Sequence, residues 1–190
     1  MRHRHGPEIS AAACACGLAH HHPPIALVFI GIGSNIDPET NLARAAKLLR
    51  KHWPAVRFSH VFRTAPQENT DQPDFRNAVA SIETNGPPEE IQQLLRSIEH
   101  ALAKSVTDRF GPRTIDLDLL LYGDQHFTER KGQDSGLVIP HPRMHRRRFV
   151  LEPLSELLDP ETLHPILEKS WNTLKEQTTD QRCERTDIAL

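Results

Sequence analysis

RFGPRTIDLDLLLYGD, residues Arg109–Asp124, places two carboxylates, Asp116 and Asp118, one residue apart inside an otherwise apolar run. Successive side chains of a strand face opposite ways. Ile115, Leu117, Leu119 and Leu121 are therefore expected to turn into a core beneath helices, while Asp116 and Asp118 turn together to the other side. Burying carboxylates is costly unless something compensates, and a hard cation is the usual compensator. The stretch reads as a sheet strand with one covered face and one face kept for a ligand.

Upstream of it, Ile91, Leu94, Leu95, Ile98 and Leu102 recur at helical spacing behind the punctuation Asn85-Gly86-Pro87-Pro88. Asn77–Glu83 reads as a strand, preceded by the polar loop Thr64–Arg76, TAPQENTDQPDFR. Val56–Arg63 alternates, with Val56, Phe58 and Phe62 on one side, and reads as one further strand. IALVFIGI, from Ile25, is apolar on both faces and predicts a central strand. In the GSNIDPET that follows, Asp37 is placed to cap a helix with Pro38 in its first position, running to about His52.

Downstream come a polar loop over Gly123–Gly136, the basic cluster HPRMHRRRF, and an amphipathic stretch to about Leu158. A last helix is expected from about Leu163 to Gln177, with residues 178–190 frayed. Residues 1–24 read as a disordered tail, although Cys14-x-Cys16 and His20-His21-His22 would also suit a soft metal. The folded domain is then 25–177. Its order, strand–helix–strand–strand–helix–strand, is the split βαβ of a ferredoxin-like fold. This is an α+β sandwich: an antiparallel sheet, helices on one face, additional C-terminal helices, and the other face free for ligands.

The bulk properties exclude more than they assign. A chain of 190 residues with 37% hydrophobic and 25% charged residues is an ordinary soluble balance, large enough for one core. A net charge of −2 argues against a nucleic-acid binder. Three cysteines without a disulfide pattern fit a reducing cytoplasm. The apolar run Ile25–Ile32 is too short to span a bilayer. The N-terminus lacks the continuous apolar stretch of a secretory signal. No membrane partner is expected, and a monomer is favoured.

Two carboxylates this close repel unless a cation lies between them. Oxygen ligands without a neighbouring Cys or His favour Mg²⁺ over zinc. Arg109 and Arg113 flank the turn Phe110-Gly111-Pro112, and guanidinium forks beside a magnesium site suit a polyphosphate. Spacing alone is met equally well by a solvated strand with two surface acids and two surface ion pairs.

GPRTIDLDLL, Gly111–Leu120, resembles the signature of the 6-hydroxymethyl-7,8-dihydropterin pyrophosphokinase family of folate biosynthesis. Four more segments match that family in order: IGIGSN at Ile30–Asn35, FRTAP at Phe62–Pro66, DQPDFRNAV at Asp71–Val79 and IPHPRMHRRRFVLEPL at Ile139–Leu154. The resemblance implies transfer of the terminal diphosphate of ATP to the pterin hydroxymethyl group, with release of AMP. It implies two Mg²⁺ ions held by Asp116 and Asp118, with Arg113 on the phosphates. By the same likeness Phe75 and Phe149 sandwich the pterin, Asn77 reads its amide edge, and Thr64 and Pro66 complete that wall. Glu99, Arg109, His141 and Arg147 fall at nucleotide-binding positions, whereas Arg146 and Arg148 read as general surface charge. Gly31-x-Gly33 is not followed by glycine at Ile36, so the dinucleotide fingerprint fails and the segment reads as close backbone packing near the pterin.

Two departures stand out. The loop ALAKSVTDRFG has Lys104 as its only cation before Arg109, where the family often carries more arginines, and Phe110 stands where tryptophan is frequent. The loops Thr64–Arg76 and Ser105–Gly111 are the candidates to close over ATP. A pterin-binding regulator with little catalysis, or a related kinase acting on a modified pterin, are the competing functions.

Overall fold

The computed structural model describes residues 25–67, 70–102, 113–128 and 136–190. The histidine- and cysteine-containing tail, Lys104, Arg109 and Phe110 lie outside them, and with them the expectations placed on those residues. Apolar on both sides, β1 (Ala26–Ser34) takes the middle of an antiparallel sheet between β5 (Asp116–Tyr122) and β4 (Phe75–Thr84). Beyond β4 lie β3 (Phe62–Thr64) and then β6 (Cys183–Arg185), giving the order β5-β1-β4-β3-β6. A two-residue β2 (Arg57–Phe58) also pairs with β4. The first four strands of that order form the expected ferredoxin-like sheet.

Both crossover helices begin on proline, whose fixed φ suits the first turn. Leu42, Ala45 and Leu49 of α1 (Pro38–His52) and Ile91, Leu95 and Ile98 of α2 (Pro88–Ala101) pack on Val28, Ile30 and Ile32. Ile115, Leu117 and Leu119 join them, as alternation predicts. Each fully buried Leu or Ile contributes about 1.5–3 kcal/mol. This layer holds the sheet in register.

Several local expectations are corrected. Asp37 makes no capping bond and sits in the left-handed region at φ 40°; the side chain of Asn41 instead donates to Ile36 O at 2.7 Å. The strand expected over Val56–Arg63 is two pieces. Between them Ser59 Oγ accepts from Val79 N–H while Ser59 N–H donates to Val79 O, so its side chain takes over part of the ladder. The C-terminal helix is only α4 (Trp171–Glu176). Pro165 disfavours helix at His164, and the chain folds back instead through His164 N–H to Lys169 O.

Residues 178–190 are not frayed. β6 pairs with β3, Thr186 N–H donates to Val61 O, and Ile188 and Leu190 pack against the main core. No helix among the described residues is long and apolar enough to cross a membrane.

The second sheet face is not free either. α3 (Arg148–Leu154), α4 and the 3₁₀ turn Met144–Arg146 cover half of it, burying Met144, Leu151, Leu154 and Trp171 against Phe29 and Val79. A bulge enables this. Ile30 opposes Leu119 but Phe29 opposes Leu121, leaving Leu120 as the extra residue. Beyond a bulge the facing of side chains inverts. Leu121 therefore joins the second core rather than the helix side, while Tyr122 turns under α2 and its hydroxyl donates to Gly86 O. The half left uncovered is a cleft.

Candidate active site

Antiparallel partners share a face, so the sheet register lays out the floor of that cleft. Gly33 stands between Asp116 on β5 and Asn77 on β4; one rung on, Gly31 stands between Asp118 and Val79. The two glycines leave bare backbone between the acids and Asn77. A Cβ at Gly33 would lie 2.8 Å from Asn77 Oδ1, whereas one at Gly31 would meet Leu120 at an ordinary 3.4 Å. Asn77, 7% exposed, donates through Nδ2 to Thr64 Oγ1 at 2.7 Å. Its carboxamide is thus aimed by Thr64 on one side and by the absence of a side chain on the other.

The same cleft, about 210 Å³, brings together Thr64, Pro66, Phe75, Asn77, Arg113, Asp116, Asp118, His141, Arg147 and Phe149. Ten of the twelve residues singled out from sequence meet in one place. Phe75 starts β4 and Phe149 lies in the first turn of α3, both half-buried, giving the cleft an aromatic from each wall. The Arg147 guanidinium lies 5.3 Å from the Phe149 ring centroid, a cation–π distance that also keeps the charge at the aromatic rim.

The GSN segment acts as a buckle. Arg113 N–H donates to Asn35 Oδ1 at 2.7 Å, Arg113 O accepts from the backbone of Asn35 and Ile36, and Ser34 Oγ donates to Thr114 O at 2.6 Å. Asn35 Nδ2 reaches Pro73 O and Gln72 Oε1, each at 3.2 Å, across the cleft mouth. This gives specific content to the close packing read from the sequence. Arg113 itself donates from Nη1 to Asp116 Oδ1 at 2.7 Å, a charge-assisted bond between partly exposed groups.

His141 is tied to β5 by its own N–H, which donates to Leu120 O at 2.9 Å. Burial, then the positive charges of Arg147 and Arg143, push its imidazole down to about 4, with Asp116 opposing. His141 is therefore neutral at pH 7. Its Nδ1 accepts from Arg143 N–H at 3.4 Å, leaving Nε2 to carry the proton.

A second cavity, about 280 Å³, adjoins the first through Asp118 and His141 and runs between α2 and the Leu137–Pro142 segment. Glu99 and Arg96 line it. Glu99 is also a structural tie, since its Oε1 accepts from Leu117 N–H at 2.8 Å while the residue is 7% exposed. Three polar residues that line the cleft are not singled out by the sequence reading: Arg143, Gln72 and Gln67. The run HPRMHRRRF announces cations, but only the 3₁₀ turn decides which of them face inward. Arg148 is not loose surface charge, because it pairs with Glu152 at 2.9 Å.

Among the described residues no group of three or more His, Cys, Asp or Glu side chains is placed to hold a metal by itself. Asp116 and Asp118 supply carboxylate oxygens only. That donor set fits a hard divalent ion that keeps oxygen ligands from water or phosphate.

The model of the 7,8-dihydro-6-hydroxymethylpterin-pyrophosphokinase family matches residues 29–159. A 2-amino-4-hydroxy-6-hydroxymethyldihydropteridine pyrophosphokinase of Bacillus subtilis is 38% identical over 134 residues, covering 69% of this chain and 77% of its own. The mitochondrial folate synthesis bifunctional protein of Arabidopsis thaliana is 40% identical over 133 residues, which is 69% of this chain but 23% of that one. The fold is also that of a Plasmodium falciparum HPPK-DHPS crystal structure with pterin and p-hydroxybenzoate, at TM-score 0.62 and 14% identity; the match covers 84% of this chain and 44% of that one. The chain belongs to the 7,8-dihydro-6-hydroxymethylpterin-pyrophosphokinase family.

Proposed function

We propose that the chain transfers the terminal diphosphate of ATP to 6-hydroxymethyl-7,8-dihydropterin in folate biosynthesis, releasing AMP. The observation that carries the reading is the bare floor at Gly31 and Gly33, with Asp116 and Asp118 on one side and the aimed carboxamide of Asn77 on the other. A flat heteroaromatic lying between Phe75 and Phe149 would present its amide edge to Asn77, which offers both a donor and an acceptor. Its hydroxymethyl group then points toward the acids. Thr64 and Pro66 close the wall behind Asn77.

In the transfer, the hydroxymethyl oxygen forms a bond to the β-phosphorus of ATP. The bond from that phosphorus to the oxygen shared with the α-phosphate breaks, and AMP departs with that oxygen. The hydroxyl proton leaves to solvent. Asp116 and Asp118 would hold two Mg²⁺ ions, which when bound neutralise phosphate charge. Arg113, now on Asp116, can exchange that bond for a phosphate oxygen and offer its planar fork. Arg147, kept at the rim by Phe149, adds a second cation. Neutral His141 donates a hydrogen bond through Nε2 without adding charge. The cavity beside Glu99 and Arg96 suits the nucleoside, with Arg109 as a further phosphate contact. Reaction in the cytoplasm by a monomer is part of the same proposal.

The test is AMP release with ATP, Mg²⁺ and the pterin alcohol, against a control without pterin. One AMP per pterin consumed is expected. ADP in place of AMP would mean single phosphoryl transfer. Calorimetric pterin binding without nucleotide turnover would leave a binding protein instead of an enzyme.

A further inference from the structure

The family match ends at residue 159, yet the chain continues through an ordered segment that returns to the cleft. The cleft's two pterin-facing walls are remote in sequence. One is the end of β3 and the stretch after it, Thr64–Gln67; the other is the entry to α3, Arg147–Phe149. Gln181 lies between them. Its Oε1 accepts from Gln67 Nε2 on the first wall and from Arg148 N–H, at 2.9 Å, on the second. Its Nε2 donates to Arg146 O at 2.9 Å. Arg148 N–H belongs to the first turn of a helix, where no intrahelical acceptor exists, so Gln181 meets a need the helix cannot meet itself.

The neighbours of Gln181 reinforce the connection. Its own N–H donates to Thr178 O, and Thr178 is 3% exposed, which fixes the turn. Two residues on, Cys183 pairs with Thr64 and Glu184 with Arg63 in the β3–β6 register. Arg182 lies 3.7 Å from Asp74, which itself accepts from Arg63 Nε at 2.8 Å. Exposed ion pairs of this sort contribute little singly. Their arrangement matters more: residues 181–184 touch the Thr64–Gln67 stretch, the Asp74 stretch that precedes Phe75, and the residue before Phe149.

We infer that this C-terminal segment is a positioning strap for the pterin site, with Gln181 setting the separation of its two walls. Gln181 does not line the cleft, so it acts through Gln67 and the Arg148 backbone and is not a catalytic residue. The inference rests on the proposed pterin site. It predicts a larger effect on pterin binding than on ATP, because no residue of the strap lines the second cavity and the Arg147 guanidinium is held at the rim by the Phe149 ring rather than by Gln181.

The experiment uses the full chain and two variants. Gln181→Ala removes all three bonds. Gln181→Glu keeps an acceptor for Gln67 and for Arg148 N–H, and loses only the bond to Arg146 O. Steady-state assays with pterin and ATP varied in turn should give a pterin KM raised about tenfold for Gln181→Ala, equivalent to ~1.4 kcal/mol of binding. Its kcat and ATP KM should stay within about twofold, equivalent to at most ~0.4 kcal/mol. Gln181→Glu should return the pterin KM most of the way to that of the parent. Hydrogen exchange at the Arg148 backbone amide, read without substrate, should speed up in Gln181→Ala.

An unchanged pterin KM overturns the inference, and so does an equal loss in every kinetic constant together with melting temperature. Unchanged exchange overturns it whatever the kinetics show, and a Gln181→Glu variant as impaired as Gln181→Ala overturns the acceptor role. The parent's own pterin-dependent turnover, measured first, separates failure of the proposed function from failure of the strap.

Discussion

Gly33→Ala adds one methyl group to the cleft floor, and the structure says what it meets. The new carbon would lie 2.8 Å from Asn77 Oδ1, well inside the ordinary 3.4–4 Å contact range. The carboxamide must retreat by roughly half an ångström, as close packing leaves no slack. The amide is a rigid plane, so its nitrogen moves with the oxygen and the 2.7 Å bond to Thr64 Oγ1 is strained or lost. Both residues are buried, Thr64 at 3% and Asn77 at 7% exposure, so water does not replace the bond. A buried polar group left without its partner costs about 1–3 kcal/mol. In a chain of this size that lowers the melting temperature by roughly 2–4 °C per kcal/mol. The same displacement misaligns the group that reads the pterin edge, and an equal free energy there is about a five- to 150-fold rise in pterin KM. ATP KM should hold steady, since Glu99 and Arg96 line the adjoining cavity, to which Asn77 does not contribute. Steady-state kinetics and thermal melts decide the matter, with the melt of Gly31→Ala as control: there the methyl meets Leu120 at 3.4 Å and stability should change by under about 0.5 kcal/mol. If Gly33→Ala keeps parental pterin KM and melting temperature, Asn77 is not held as described and the recognition argument built on it fails.

Asp118→Asn should lower kcat by at least about a thousandfold, because the phosphate-side charge balance depends on that carboxylate, while the melting temperature without ligand stays or rises. A collapse of the ligand-free fold would make Asp118 structural instead. Stability should also fall in acid through His164, which is 4% exposed and whose Nδ1 accepts from Ile166 and Leu167 N–H. Burial first, and then His145, push its imidazole down to about 4. The unfolded chain takes up the proton near pH 6.5, well before the folded one, so the stabilisation is complete above that pH and drains away as pH falls toward 4. At pH 5 the loss is about 2 kcal/mol, or roughly 4–8 °C. His164→Asn, which keeps an acceptor but cannot titrate, should make the loss between pH 6.5 and 4.5 shallower by that share, while His141, also pushed down to about 4, keeps its own; a slope equal to that of the parent would exclude His164 as a source.

What the sequence disclosed and what it hid follow from the range of the interactions involved. The βαββαβ order, the facing of Asp116 and Asp118 and the helix stripes are local, each carried by a period of two or of about 3.6 residues. The bulge at Leu120 left no trace because Leu119, Leu120 and Leu121 are chemically alike, so no alternation existed to break. CER looks like the end of a frayed tail, since its stability comes from pairing with β3, more than a hundred residues earlier, and its composition carries no sign of that.

The family likeness gathered the cleft residues but was silent on how they are held, and there the register does what a motif cannot. Gly33 has meaning only once Asn77 is known to lie beside it and Asp116 on its other flank. Gln181, with no apolar pattern and no place in the matched family segment, touches two walls that a reader of the sequence would never bring together. The chemistry of this site was therefore legible as residue types in order, while its geometry depends on long-range backbone pairings that residue types do not encode. Substitutions at Gly33 and Gln181 change that geometry without removing any group that touches phosphate, so they separate placement from chemistry as no Asp118 variant can.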